Sequence, residues 1–600
     1  MKNFLDYYHD ELFFLRQKGG EFAKNHPEIA GKLDIKNGES TDPQTERIIE
    51  SVAFMSAKLN QKIDDNAQDI AFHLLSALYP NLINTFPSCG IIKFEPDGPI
   101  SASSIVQIKR GTNLFIKSKN DAEYQFKTLY PLNIYPISIS KINLSKTFSK
   151  LGGSDGRCIE INVLTNSVPL EQICPNDLLF HISSEIIENA LLIYEAIFSN
   201  ANRKVFLKID KEYIDVDREN IIQCGFDNED SICPIPKYST NSFQLFQEML
   251  HFKKKFMFFR ILGVGDLIVK SRKKNISEFS IIIDVSTSDE QLIQVIKDDS
   301  LALNTTPVVN LFPITSDPFR FDATKTKYLL LADQSKRKSI EIHSISEMYI
   351  INDQTREDAL IQPYFSLAIN SDTNVMHDLY WLYSKKPSQY ENFDKSDIYI
   401  SFVDTKMNPK NVYADVVYAK TLCTNRFELR DIDTFSKIYV DSVETAGYSA
   451  KLISKISQPI SFLENSTSLW NLISQLAATH ISLSTSQNIL GILKQLAEIF
   501  SSGTQLKVDE LFGGMESIST KEVVRRIGND AWRGFVKGME MTISISENQT
   551  FFKYFLGTII NQYLSDIVSI NSFVELKMKS TNSEKLLAFW APTSGRKNLI

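Results

Sequence analysis

The feature of this sequence that most constrains its fold is a change in the spacing of apolar residues near Phe86-Pro87. Before that point apolar residues recur every three or four positions, as on one face of an α-helix. After it they alternate with polar residues in short runs separated by turn residues, which is typical of β-strands. Helical spacing returns from about residue 461, and the chain ends in the predicted order strand, helix, strand, strand. An all-α or all-β architecture is therefore excluded.

The length of 600 residues exceeds what a single hydrophobic core ordinarily serves. We therefore predict a multidomain α+β protein with four segments. They are a helical N-terminal segment (1–88), a β-rich middle in two parts (89–235 and 236–460) and an α/β C-terminal domain (461–600). The boundary between the middle parts is placed at a polar loop that contains Pro234 and Pro236.

The N-terminal segment is predicted to contain three helices. The first is expected to end near Gly19-Gly20, because glycine weakens a helix. The second is expected to begin at Pro43, where Asp42 provides an N-terminal cap. The third covers residues 67–79 and ends before Pro80.

Two of these helices carry apolar stripes that need a partner surface. A stripe this apolar at the start of a chain is expected to be buried against another element. We predict that it joins helices of another chain in a bundle, whereas the alternative is packing within this chain alone. The predicted interface residues are Leu5, Tyr8, Leu12, Leu15, Val52, Met55 and Leu59.

Charge and cysteine content narrow the class of protein. A net charge of −7 argues against a general nucleic-acid binder and against a polybasic membrane anchor. Asp6, Asp10 and Glu11 interrupt any apolar core of a signal peptide, and no stretch is long enough to insert directly into a membrane. Six cysteines without a C-x-x-C spacing predict reduced thiols in the cytoplasm.

No segment predicts a catalytic, cofactor or metal site. Residues 152–156 match the hydrolase pattern G-x-S-x-G, but a strand is predicted after the serine, where the hydrolase turn requires a helix. Gly263-Val264-Gly265 is not expected to bind a dinucleotide, because it lacks a third glycine and a predicted following helix. The eight histidines are scattered, and adjacent acidic residues point apart in a helix or strand.

A basic run at Lys253–Lys255 is interleaved with phenylalanines, as in some single-strand nucleic-acid sites. Phe256 and Phe258 nevertheless alternate with their neighbours like residues of a core strand, with the lysines in flanking turns. We therefore predict that this protein does not bind nucleic acid.

Several segments, taken together, follow the residue order of one known family. The opening run from Leu5 to Ala30 is one of them, and Leu303–Pro313, with Asn310-Leu311-Phe312, is the most specific. The others are Phe243–Phe256, Tyr380-Trp381-Leu382, Thr421–Arg426, Arg525-Arg526, Phe535-x-x-Gly538, Ser569–Phe573 and Trp590-x-Pro592-x-x-Gly595. In this order they resemble TssF, a baseplate subunit of the bacterial type VI secretion system. Two positions depart from the family, since Lys253 replaces a proline and Phe427-Glu428 replaces a Leu-Pro.

The resemblance implies a structural subunit without enzymatic activity, cofactor or metal. Its implied partners are a TssG-like subunit, a second TssF copy and a TssK-like subunit, with TssE and the VgrG hub as further candidates. Such a wedge would surround the hub and provide the platform for sheath and tube polymerisation. The implied location is the cytoplasm, docked through the baseplate at the cytoplasmic side of the inner membrane.

Two alternatives remain open at this point. One is a baseplate wedge protein of a phage tail or of another contractile injection system, which shares the wedge architecture. The other is a hydrolase built on the β-rich middle, which would require a polar cleft with perturbed pKa values.

Overall fold

The computed structural model divides the chain into two compact units, Met1–Ile83 with Leu463–Ser474, and Asn84–Phe462 with Gln475–Ile600. The fold class is α+β, as predicted, whereas the four-segment division stays a prediction. The structure describes residues 4–595 except 33–34, 37–38, 41, 97–104, 118–122, 147–156, 166–167, 200–203, 211, 236–241, 274–275, 286–289, 322–324, 352–357, 366–374, 388–395, 406–414, 427–428, 430–431, 433–435, 441–447, 462–468, 475, 477–488, 502–507, 527–534, 547–552, 569–570 and 582–585.

The N-terminal unit is built mainly from two helices, a first helix (Phe4–Asn25) and a long helix (Pro43–Leu78). Short elements join and follow them, namely helices Pro27–Lys32 and Pro80–Ile83 and the paired strands Ile35–Lys36 and Glu39–Ser40. Residues 469–474 add a further helical turn to this unit.

Both helices are longer than the sequence pattern predicted. The predicted stop at Gly19-Gly20 is wrong, because the first helix continues to Asn25. Each glycine costs only about 1 kcal/mol relative to alanine in a helix, which packing against the long helix offsets. The predicted second and third helices form one helix of 36 residues. Its start is confirmed, since the Asp42 carboxylate accepts hydrogen bonds from the backbone N–H groups of Gln44 and Thr45.

A closed six-stranded antiparallel barrel lies in the second unit. It brings together strands from both predicted middle parts. Asn113–Lys117 and Glu123–Thr128 alternate buried and less buried residues as the sequence indicated, whereas Thr305–Val309 is buried throughout. In barrel order the strands are Thr305–Val309, Cys89–Pro96, Tyr448–Leu452, Lys437–Val440, Asn113–Lys117 and Glu123–Thr128. Phe94, Leu114 and Phe126 are among the side chains that fill its core.

An eight-stranded sheet is formed by residues that lie between the barrel strands Thr305–Val309 and Lys437–Val440 in the chain. Its strands Ile340–Ile351 and Asp415–Asn425 pair antiparallel, and its apolar core includes Met348, Ile400 and Val417. The remaining strands are Phe312–Thr315, Phe319–Phe321, Tyr328–Leu330, Asp358–Pro363, Val375–Pro387 and Ser396–Asp404.

Two smaller sheets complete the middle of the chain. A five-stranded antiparallel sheet contains, in order, Glu212–Val216, Val205–Ile209, Glu278–Val285, Arg157–Thr165 and Ile137–Lys146. A four-stranded sheet contains Ile221–Gln223, Phe258–Leu262, Asp177–Ile182 and Leu301–Ala302. Separately, Val106–Ile108 pairs with Leu132–Ile134. The accompanying helices are Leu170–Ile173, Ile187–Phe198, Ser242–His251, Val264–Ser271 and Glu290–Val295.

One expectation about the middle is wrong. A helix, Val264–Ser271, does follow Gly263, which adopts a left-handed conformation at φ 72°. This helix has only 8 residues, so the spacing of its apolar residues was too short and too irregular to be recognised as helical in the sequence. The third glycine of the dinucleotide pattern is still missing from the sequence.

The predicted order strand, helix, strand, strand at the C-terminus is confirmed. Phe535–Ile545 and Phe573–Ser580 pair in parallel, and helix Lys553–Ile567 makes the crossover between them. Met515–Arg526 and Leu586–Ser594 pair antiparallel on the two sides, which gives a four-stranded sheet. Helices Ile489–Ser501 and Val508–Phe512 precede this sheet.

Candidate partner-binding surface

The first helix and the long helix are held together by polar contacts along one side. Arg16 pairs with Glu46 at 2.6 Å between Nη2 and Oε1. The Tyr7 hydroxyl donates a hydrogen bond to the Asp64 carboxylate at 2.7 Å. These contacts define the side of the long helix that faces the first helix.

Alanines occupy the same side of the long helix. Ala53 and Ala57 are fully buried and are one helical turn apart, between Glu46 and Asp64. Small side chains at this spacing let two helices approach closely. The long helix therefore contacts the first helix mainly through small and polar residues, together with Phe54, whose ring centroid lies 5.0 Å from that of Phe4. Most of its exposed large apolar residues lie elsewhere.

Those large apolar residues form a continuous exposed stripe, which we call the apolar face. At 3.6 residues per turn it lies roughly 130° around the helix from the alanine side. Its side chains are between 42% and 68% exposed. Large apolar side chains on a protein surface are usually isolated from one another, so a continuous stripe of them is unusual. The face consists of Ile48, Val52, Met55, Leu59, Ile63, Ile70, Leu74 and Leu78.

The structure divides the seven predicted interface residues into two groups. Leu5, Val52, Met55 and Leu59 are exposed, and the last three belong to the apolar face. The others, Tyr8, Leu12 and Leu15, are half-buried and lie on the side of the first helix that meets the long helix. Contacts within the chain therefore already cover part of the surface of Tyr8, Leu12 and Leu15.

Other exposed apolar residues of this unit were missed from the predicted interface. Phe13 and Phe14 on the first helix are 70% and 52% exposed, and Phe54 on the long helix is 50% exposed. Ile70 and Leu74 were missed because the long helix was divided in two by prediction. Their spacing from Ile63 was the available signal, since it continues one helical stripe.

Residues from the segments that resemble the TssF family also form buried hydrogen-bond networks in the second unit. The Asn310 Oδ1 accepts from the Asn425 backbone N–H at 2.6 Å and from the Thr424 hydroxyl at 3.0 Å. Its Nδ2 donates to the Gln125 carbonyl at 2.7 Å and to the Asn425 Oδ1 at 2.8 Å. This one amide thus links the barrel to a central strand of the eight-stranded sheet, which is a structural role.

A second network surrounds a fully buried ion pair between Lys255 and Glu248. The Glu248 Oε1 also accepts from the Ile232 backbone N–H at 2.7 Å and from the Ser231 hydroxyl at 3.0 Å. The Tyr130 hydroxyl donates to the Lys255 carbonyl at 2.8 Å, and burial raises the pKa of that phenol. Both groups of the ion pair are engaged by protein groups, so this cluster offers no free group to a ligand, and removal of one partner alone would leave a buried charge unpaired.

A model of the type VI secretion system TssF family matches residues 1–597. The chain belongs to this family. The chain is also similar to the type VI secretion system component TssF1 of Pseudomonas aeruginosa strain PAO1, with 22% identity over 631 residues and 99% of both chains covered. The family match thus covers nearly the whole chain, including residues 100–235, where no family segment was identified in the sequence.

Solved structures show the same fold. One is a chain of a TssK-TssF-TssG baseplate subcomplex determined by cryo-electron microscopy, with a TM-score of 0.71 and 17% identity, covering 92% of this chain and 99% of that chain. Another is a chain of a type VI secretion system baseplate complex, with a TM-score of 0.57 and 17% identity over the full length of both. The predicted α+β architecture is therefore that of the TssF fold.

The basic run does not resemble a nucleic-acid site in this TssF-family chain. Phe256, Phe258 and Phe259 are fully buried, so their rings are unavailable for stacking on bases. Lys255 is buried in the ion pair with Glu248, and burial lowers the pKa of Lys253 and of Lys254. The aromatic residues were correctly predicted to belong to a core.

A cavity of about 440 Å³ lies between the barrel strand Cys89–Pro96 and the strand Ile137–Lys146. Of its carboxylates, Glu95 has a pKa lowered mainly by the hydrogen bond from Lys451. Asp298 accepts a hydrogen bond from the Ile142 backbone N–H at 3.1 Å. Glu95 and Asp298, two of its three carboxylates, are therefore engaged in structural contacts rather than poised as an acid and a base.

The remaining candidates give no further site. The G-x-S-x-G segment at 152–156 lies outside the described residues. Within the described part of the chain, histidines, cysteines and carboxylates form no cluster suited to a metal ion. Over the same residues, none of the helices combines the length and the apolar composition needed to cross a membrane.

Proposed function

We propose that this chain is a structural wedge subunit of a type VI secretion baseplate and binds a TssG-like subunit through the apolar face of its long helix. Family membership supports the system, and the exposed apolar face supports the binding mode. Burying one large apolar side chain is worth about 1.5–3 kcal/mol. Eight such residues in one stripe supply enough free energy for stable association, after the cost of ordering two chains is subtracted.

The partner surface that fits this face is an amphipathic helix or helical pair. The stripe runs along most of a helix of 36 residues, so a parallel or antiparallel helix can follow it over many turns. The family chain in the TssK-TssF-TssG subcomplex supports TssG-like and TssK-like partners. A second TssF copy, TssE and the VgrG hub complete the proposed set of partners.

The proposal also covers enzymatic activity and location. A structural subunit needs no catalytic group, and the titratable residues described above are engaged in folding contacts. We place the protein in the cytoplasm, docked through the baseplate at the inner membrane. The family match favours this system over a phage tail.

The experiment that tests the proposed surface is the double substitution Met55→Glu and Leu59→Glu. These side chains are 68% and 61% exposed, so the variant should keep the circular dichroism spectrum and melting temperature of the wild type. Charges in the middle of the apolar face should reduce co-purification with the co-expressed TssG-like subunit at least tenfold, since buried charges without partners are costly.

The matched control is the double substitution Ser51→Glu and Lys58→Glu. Both residues are exposed on the same helix but lie outside the apolar face. This control should co-purify with the TssG-like subunit as the wild type does. A folded Met55→Glu, Leu59→Glu variant that retains its partner would show that the apolar face is not the binding surface.

A further inference from the structure

The strand Met515–Arg526 forms one edge of the C-terminal sheet. Its inner side pairs with Phe535–Ile545, and within the described residues no strand pairs with its outer side. It is 12 residues long, about twice the usual strand length, and contains no proline. Its register is irregular only between Met515 and Ser517. Proteins usually protect such an edge with bulges, prolines, charged side chains or a short length. This edge carries charged residues such as Lys521, but it has no proline and is irregular only near Met515.

The faces of this strand are also poorly covered. Helix Lys553–Ile567 packs chiefly on the other two strands, Phe573–Ser580 and Leu586–Ser594. On the edge strand Val524 is 55% exposed, and Phe535 at the start of the neighbouring strand is 79% exposed. Both the hydrogen-bonding edge and apolar side chains beside it are therefore accessible to an added strand.

The sequence of the strand is complementary to itself in one antiparallel register. When two copies of the strand pair antiparallel across a two-fold axis, directly opposed side chains lie on the same face of the sheet. The axis therefore passes beside one residue, such as Lys521, which then faces its own copy. That register places Ile518 opposite Val524 of the second copy. This apolar pair occurs twice, and such pairs stabilise paired strands.

Neighbouring registers are less favourable. A register centred on Glu522 puts two carboxylates directly opposite each other, and one centred on Thr520 puts Ile518 opposite Glu522. In the register centred on Lys521, the two lysines meet on the axis. Each lysine lies beside Glu540, its cross-strand partner within its own sheet, and this carboxylate also pairs with Lys577 at 2.8 Å, so it offsets only part of the repulsion.

We propose that Met515–Arg526 binds a second copy of this chain by antiparallel strand pairing centred on Lys521. The product is one continuous eight-stranded sheet formed by two C-terminal sheets of four strands. This contact gives a location to the second TssF copy in the proposed function. It uses a different surface from the apolar face, so either proposal can fail while the other holds.

A cysteine on the two-fold axis tests this register, because only there does a residue face its own copy. Directly opposed residues have Cα atoms about 4.5–5.5 Å apart, within the range that a disulfide bridges. The full chain with Lys521→Cys, purified with its co-expressed partners, should form a disulfide-linked dimer under mild oxidation. The wild type should not, since five of its six cysteines are buried.

Two variants on the same face provide the control. Ser519→Cys and Val523→Cys each lie about 14 Å from their own copy in this register, at 3.4 Å per residue, and should not form dimers alone. A mixture of the two should form a mixed disulfide, because residue 519 faces residue 523 of the second copy. This pair reports the register without any change to Lys521.

Absence of both the Lys521→Cys dimer and the mixed 519–523 dimer would overturn the proposal. Equal cross-linking of Ser519→Cys alone would also overturn it, since that result would indicate random collision. In either case, retained co-purification with the TssG-like subunit would leave the proposed function intact.

Discussion

Asn310 uses its whole side-chain amide to connect segments that are distant in sequence. It bonds to Asn425, which is 115 residues away, and to Gln125, which is 185 residues away. The sequence identified Asn310 as part of a family motif, but a motif does not reveal what its residues bind. In the structure the side-chain hydrogen bonds of Asn310 join separate parts of the fold, which indicates a structural role.

At the residue scale we therefore predict that Asn310→Ala strongly destabilises the second unit. The substitution leaves the buried Asn425 N–H and the Gln125 carbonyl without these partners, which costs about 1–3 kcal/mol for each group. The free energy of unfolding from chemical denaturation should fall by about 3 kcal/mol or more. Asn228→Ala, at an exposed position, is the control and should change it by less than about 0.5 kcal/mol. A loss of similar size in both variants would contradict the assigned role.

Glu195 joins two helices at the scale of secondary-structure elements. It lies on helix Ile187–Phe198, and its carboxylate accepts hydrogen bonds from the first backbone N–H groups of helix Lys553–Ile567, at 2.8 Å from Tyr554. Removal of this carboxyl from water raises its pKa from 4.5 to about 7, although the hydrogen bonds act in the opposite direction. The contact between these helices therefore depends on pH.

The direction of this dependence follows from the raised pKa. Between about pH 4.5 and pH 7 the folded protein binds more protons than the unfolded chain, so stability falls as pH rises through this window. We predict that Glu195→Gln removes this decline, because the amide oxygen still accepts the hydrogen bond without a charge. At pH 8 the variant should be more stable than the wild type, by up to about 3 kcal/mol.

The measurement is the free energy of unfolding as a function of pH for the wild type and Glu195→Gln. Glu188→Gln, an exposed substitution on the same helix, should leave the pH slope of the wild type unchanged. Identical slopes for the wild type and Glu195→Gln would show that Glu195 is not the responsible group.

Local spacing predicted the type of most elements but not their limits or their pairing. The alternating runs were strands, and the C-terminal order was correct because each element there has a clear period. The long helix was divided in two, since polar residues near Asp64 obscured a stripe that the structure shows to be continuous. The barrel could not be predicted, because strands Cys89–Pro96 and Tyr448–Leu452 are far apart in the chain and periodicity carries no pairing information.

The candidate surface was predictable in part for the same reason. Helical spacing identified the stripe that contains Val52, Met55 and Leu59, but spacing does not tell which side of a helix a neighbour covers. Ala53 and Ala57 decide this, because small residues permit the close approach of the first helix. The apolar face is thus left exposed on the other side.

For the whole molecule, the exposed apolar face predicts poor behaviour of the chain without its partners. We expect the full chain, expressed alone, to form assemblies larger than a dimer, because apolar faces of this length associate in water. Light scattering after gel filtration should show masses that rise with concentration. Met55→Glu with Leu59→Glu should reduce these masses, whereas Ser51→Glu with Lys58→Glu should not. A wild-type mass that stays at one or two chains at all concentrations would contradict this expectation.

The closed barrel has a consequence for the timing of protein synthesis. Its first strand begins at Cys89 and its last ends at Leu452, so it cannot close until most of the chain has left the ribosome. The first helix and the long helix contact each other through residues near the start of the chain, such as Tyr7 and Asp64, so these two helices can pair early. The nascent chain therefore presents its apolar face to a partner, or to a chaperone, while the remainder is still being translated.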